Sequence, residues 1–90
     1  MQLDIKVLGP GCAKCEYLEQ RARLAIEEVK AEVPELQASI EKLTDMADFM
    51  AYGLMMTPGL VINGKLVSEG RVASQRTIAE WLRAALNGGQ

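Results

Sequence analysis

The hydrophobic period of this chain changes abruptly at Gly9-Pro10-Gly11. Before that point residues 2–8 alternate, with Leu3, Ile5 and Val7 on one face, which is the period-two signature of a strand. After it, from Ala13 to about Ala31, Cys15, Leu18, Ala22, Ala25, Ile26 and Val29 recur at spacings of three and four. That is the apolar stripe of an amphipathic helix. Pro10-Gly11 breaks the strand, and Pro34 closes the helical segment.

The remainder of the chain repeats the alternation of periods. Leu36, Ala38 and Ile40 alternate with polar residues and predict a second strand. Thr44-Asp45 offers an N-cap to a short helix, Met46 to Tyr52, which Gly53 ends. Asn63-Gly64 lies between the β-prone runs 59–62 and 65–68 and specifies a two-residue hairpin, because both turn residues tolerate positive φ. Gly70 ends or bulges the second arm. Ser74 then caps a last helix with an apolar stripe at Ile78, Trp81, Leu82, Ala85 and Leu86, and Asn87-Gly88-Gly89 stops it. The expected order is β-α-β-α-β-β-α over one domain, residues 1–90. It predicts an α/β fold, a four-stranded mixed sheet with helices on both faces, whose early crossovers are parallel and right-handed.

Composition narrows the function. Hydrophobic residues are 49% and charged residues 24%, so the chain is expected to fold. Net charge is −2 and the ten basic residues are scattered, which argues against a nucleic-acid footprint. No apolar run approaches the ~20 residues of a membrane span. Gln2, Asp4 and Lys6 interrupt the first apolar residues and leave no signal-peptide core. The expectation is a soluble, cytoplasmic monomer with no nucleic-acid or membrane partner. In such a compartment a disulfide is transient more often than structural.

Only two cysteines are present, Cys12 and Cys15, at the strand-to-helix junction. A C-x-x-C pair there reads as a redox dithiol or as half of a metal site. A purely structural staple is disfavoured, since so short a loop contributes roughly 2 kcal/mol against ~3 for fifteen residues. Cys12 falls at the helix N-terminus, where unpaired N–H groups and the dipole favour an anion, and Lys14 adds positive charge nearby. Cys15, one turn on, begins the buried stripe. Cys12 is therefore the candidate nucleophile and Cys15 the candidate resolving thiol. Met46, Met50, Met55 and Met56 cluster before Pro58. They read as core filler, with an adaptable docking groove as the alternative.

Strand, Gly11-Cys12-Ala13-Lys14-Cys15, helix, and later Thr57-Pro58 before a hairpin together resemble the minimal thioredoxin/glutaredoxin fold. More narrowly, the chain resembles the small thioredoxin-like proteins called redox-active disulfide protein 2. Their pattern matches Gly11 to Cys15, Thr57 to Leu60 and Gly70 to Ser74. The resemblance implies that Pro58 is cis and packs beside the cysteines, and that Thr57 offers backbone hydrogen bonds to an extended substrate, a strand-addition mode of recognition. Read without it, Pro58 starts an edge strand. Gly11, Lys14, Thr57 and Pro58 are the expected substrate-binding residues. The chain departs from thioredoxins in lacking Trp-Cys-Gly-Pro-Cys and in placing Lys6 where a buried carboxylate is common. Ser68-Glu69-Gly70-Arg71 is a weak substitute for the Gly-Gly-x-Asp stretch with which glutaredoxins hold glutathione.

The leading expectation is a thiol–disulfide oxidoreductase without a bound cofactor. It acts on a disulfide of a protein or small molecule and is served by an external reductase or thiol donor. The alternatives are a Cu(I)-type carrier, whose heavy-metal-associated relatives run β-α-β-β-α-β, and a non-catalytic thiol sensor. A closed zinc site is not expected, since the chain has no third cysteine and no histidine.

Overall fold

A computed structural model describes residues 1–88 of the chain. Its elements keep the expected order: β1 (Gln2–Leu8), α1 (Ala13–Glu32), β2 (Gln37–Leu43), α2 (Met46–Ala51), β3 (Gly59–Ile62), β4 (Lys65–Glu69) and α3 (Gln75–Leu86). The strands form one sheet in the order β2-β1-β3-β4. β1 and β2 pair in parallel, and α1 makes the crossover between them. β3 runs antiparallel to β1, and β4 antiparallel to β3. The sheet is mixed as expected, but only its first crossover is parallel. β3 starts at the end of the sheet where β2 stops, since Leu8 pairs with both Leu43 and Gly59.

The period of each segment decides which face it buries. Leu3, Ile5 and Val7 of β1 and Leu60 and Ile62 of β3 are buried against α1 and α3. These helices contribute Leu18, Ala22, Ala25 and Val29, and Ile78, Ala79 and Leu82. The out-of-phase residues Leu8 and Val61 turn to the opposite face and bury with Phe49 of α2. Helices thus cover both faces. At the surface seam Arg83 of α3 reaches Glu28 and Glu32 of α1, at 2.7 Å each.

Local chemistry sets the element ends. Asn63 (φ 51°) and Gly64 (φ 81°) are both left-handed, as the tight hairpin requires. Asn63 also ties that hairpin to β1: its N–H donates to the Asp4 carbonyl (2.7 Å), and its Oδ1 accepts from the Asp4 N–H (2.9 Å). Ser74 caps α3 by accepting from the Thr77 N–H at 3.1 Å. α2 ends one residue before the expected Tyr52. The Leu54 N–H bonds to the Phe49 carbonyl and the Gly53 N–H to that of Met50, which is a Schellman closure. Asp45 stands at the N-cap of α2, but its side chain makes no capping hydrogen bond. β2 begins at Gln37, so Leu36 is buried just ahead of the strand. Asn87 receives the end of α3; the Gly89 part of the stop signal lies outside the described residues. No helix among the described residues is long and apolar enough to cross a membrane.

Leu18 has no exposed surface and sits where α1 meets the sheet. Leu18→Ala should lower the unfolding free energy by about 2–5 kcal/mol. The expected reading is a lower urea midpoint at an unchanged slope.

Candidate functional site

The site is built by strand register. β1 ends at Leu8, which pairs with Gly59 at the start of β3. One residue further, Gly9 comes opposite Pro58. A Cβ on Gly9 would collide with Sγ of Cys15, and would stand 3.9 Å from Cα of Pro58. Gly9, Cys15 and Pro58 therefore converge on one point, although they are distant in sequence. The Thr57–Pro58 bond is cis, and Pro58 is fully buried while Thr57 is exposed. Pro58 does not begin an edge strand, because β3 lies inside the sheet.

Gly11, at φ +97°, turns the chain out of the loop after β1, a conformation that L side chains disfavour. Cys12 follows as the N-cap of α1 with extended backbone (φ −74°, ψ 168°). Its carbonyl accepts from the Glu16 N–H at 3.1 Å, and its Sγ accepts from the Cys15 N–H at 3.3 Å. The sulfur thus occupies the position of a capping oxygen. Cys12 is exposed; Cys15 is 5% exposed.

These placements separate the two thiols electrically. Cys12 is held below the ordinary thiol range, first by a hydrogen bond from the Cys15 thiol and then by the Cys15 N–H. The Lys14 N–H contributes as well. Cys15 is pushed upward, first by burial and next by donating to Cys12. Lys14 is exposed, and its backbone N–H, not its side-chain charge, is among the leading influences on Cys12. Amides that open a helix point at the cap.

Across from the dithiol lies the segment that leads into Pro58. Oε1 of Glu69, at the end of β4, accepts from the N–H groups of Met55 (2.8 Å) and Met56 (3.3 Å). The Gly70 N–H donates to the carbonyls of Met56 (3.1 Å) and Pro58 (2.9 Å). Among the described residues, neither the N–H nor the C=O of Thr57 makes a backbone hydrogen bond. Beside Thr57 opens a cavity of about 460 Å³, lined by Pro10, Phe49, Met50, Met55, Met56 and Thr57 among others. The four clustered methionines are not core filler: they are 63–85% exposed, and Phe49 occupies the core position beneath them.

Gly11, Cys12, Lys14 and Cys15 thus stand at one helix start, with Thr57 and Pro58 facing them from the head of β3. Two contributors escaped the sequence reading. Gly9 appeared only as part of a strand break, and its close approach to Cys15 is a tertiary contact without a local signature. Glu69 appeared only within a weak glutathione-type stretch. Lys6 is half-buried on the α2 side of β1 with its ammonium 2.9 Å from Asp4, and its pKa is raised chiefly by that hydrogen bond. No group of three or more Cys, His, Asp or Glu side chains able to hold a metal occurs among the described residues.

A dithiol at a helix N-terminus, facing a cis-proline at the head of a central strand, defines a thioredoxin-like protein. Comparison with known proteins agrees. Residues 3–83 match the family model described as a thioredoxin domain. A protein named thioredoxin from Methanothermobacter thermautotrophicus is 38% identical over 80 residues, 89% of this chain and 97% of its own. One of the same name from Methanocaldococcus jannaschii is 32% identical over 84 residues, covering 93% and 91%. The chain belongs to the thioredoxin family and is a thioredoxin-like oxidoreductase.

Gly9→Ala tests the convergence directly. The added methyl group has no room unless Cys15 or the strand shifts. The substitution should cost about 1–3 kcal/mol in chemical denaturation. It should also slow closure of the Cys12–Cys15 disulfide after a pulse of oxidant.

Proposed function

We propose that Cys12 and Cys15 carry out two-electron exchange with a disulfide in an extended segment of a partner protein. The observation that carries this reading is the asymmetry of the pair: an exposed sulfur favoured as an anion first by the Cys15 thiol and then by helix-opening amides, and a buried sulfur held as a thiol one turn away.

The chemistry follows from that asymmetry. The Cys12 thiolate attacks one sulfur of the substrate disulfide. A Cys12–substrate bond forms, the substrate S–S bond breaks, and the departing thiolate takes up a proton. Cys15 then loses its proton and attacks Cys12. The Cys12–Cys15 bond forms, the mixed disulfide breaks, and the second substrate thiolate leaves to be protonated. The substrate gains two electrons and the dithiol loses two. A reductase or thiol donor restores the dithiol.

Substrate recognition rests on Thr57. Its unused N–H and C=O suit pairing with an extended backbone, and the next residue, Pro58, is buried near Gly9, which Cys15 also approaches. Gly11 and Lys14 frame the approach to Cys12. The methionine-lined cavity beside Thr57 supports a protein partner over a small molecule, because flexible thioethers adapt to varied apolar side chains.

Insulin reduction with dithiothreitol as electron source tests the roles. Cys12→Ser should remove turnover by more than about 100-fold, since a hydroxyl does not supply the attacking thiolate. Cys15→Ser should leave a mixed disulfide between Cys12 and substrate, visible by mass spectrometry and released by excess thiol. Equal trapping by the two single variants would contradict the assignment.

A further inference from the structure

Glu69 and Gly70 together hold the backbone on both sides of Thr57, whose own N–H and C=O make no backbone hydrogen bond among the described residues. Oε1 of Glu69 holds the N–H groups of Met55 and Met56. The Gly70 N–H holds the carbonyls of Met56 and Pro58. This bracket rests on the end of the sheet, where Glu69 pairs with Gly59, the residue that follows Pro58. Gly70 is needed in its place on two counts. Its φ is +76°, and a Cβ there would press on the Met56 side chain at 3.2–3.4 Å.

The carboxylate has no competing partner that explains its place. Among the described residues it forms no ion pair, and its hydrogen bonds go to two successive amides of one loop. Without it, Met55 and Met56 are exposed residues between a short helix and a buried proline, and their amides would be free to turn toward water. An extended substrate can use Thr57 only if the residues before it already lie in line. Ordering them at the moment of binding would reduce affinity.

We infer that Glu69 is a positioning residue for protein substrates: it preorganises Met55 and Met56 so that Thr57 presents its N–H and C=O to the incoming strand. The inference rests on the redox reading above and adds the device that sets its substrate affinity. Glu69 lies outside the covalent step, because the reacting sulfurs are held by α1 and Gly9. Loss of the carboxylate therefore acts on KM and leaves kcat.

Insulin reduction by wild type, Glu69→Ala and Glu69→Gln, with dithiothreitol in excess, tests this. Glu69→Ala should raise KM by about five- to tenfold while kcat changes less than about twofold, the loss of a preorganising carboxylate that accepts two amide hydrogen bonds. Glu69→Gln keeps a carbonyl oxygen at the same reach and should restore most of the wild-type KM. Amide hydrogen exchange at Met55 and Met56 should quicken in the alanine variant and return toward wild type in the glutamine variant. An unchanged KM in Glu69→Ala overturns the inference while leaving the redox reading intact. Equal defects in the alanine and glutamine variants also overturn it. Absence of turnover in wild type overturns the redox reading itself, and the inference with it.

Discussion

The antiparallel register of β1 and β3 is the constraint from which the site follows. Pairing of Leu8 with Gly59 sets Gly9 against Pro58. Because α1 begins four residues after Gly9, the same register brings Cys15 onto the Gly9 backbone and the cis-proline beside it. Shifting a strand by one residue exchanges its buried and exposed faces. Here it would take Leu60 and Ile62, at 0% and 1% exposure, out of the main core to the α2 face and set the smaller Gly59 and Val61 against α1 and α3. The core therefore enforces the register, and the register assembles the dithiol with its proline.

Helix geometry then separates two chemically identical side chains. Cys12 stands outside the first turn, where amides converge; Cys15 stands inside it, on the face turned to the sheet. Three residues of spacing place them close enough to exchange a hydrogen bond and far enough apart to differ in solvation. Burial raises one thiol, and hydrogen bonds lower the other. Neither effect requires a charged neighbour, which accounts for a site without histidine and with its nearest lysine exposed.

Much of this was legible from residue types, because much of it is local. The periods of β1 and α1, the Asn63-Gly64 turn, the Ser74 cap and the placement of Cys12 at a helix start all depend on residues within a few positions of one another. What escaped was set by distance or by solvent. The direction of β3 depends on how the whole connection from Leu43 to Gly59 returns to the sheet, and no residue in β3 records it. Exposed methionines look like buried ones in a composition, and only Phe49 beneath them decides the matter. The place of Pro58 beside the dithiol came from family resemblance, since nothing local to Thr57-Pro58 specifies its neighbours. Glu69 acts across fourteen positions on Met55, a contact that leaves no periodic trace.

The account depends on the two sulfurs titrating apart, with Cys12 as the anion. Cysteine ¹³Cβ shifts followed by NMR against pH in the reduced protein measure this directly. The account predicts two separate transitions. Cys12 should remain thiolate below the free value of about 8.5, losing its charge only as pH falls through its lowered pKa. Cys15 should stay protonated until pH rises above that free value. A single shared transition near the free value, or Cys15 ionising first, would contradict it.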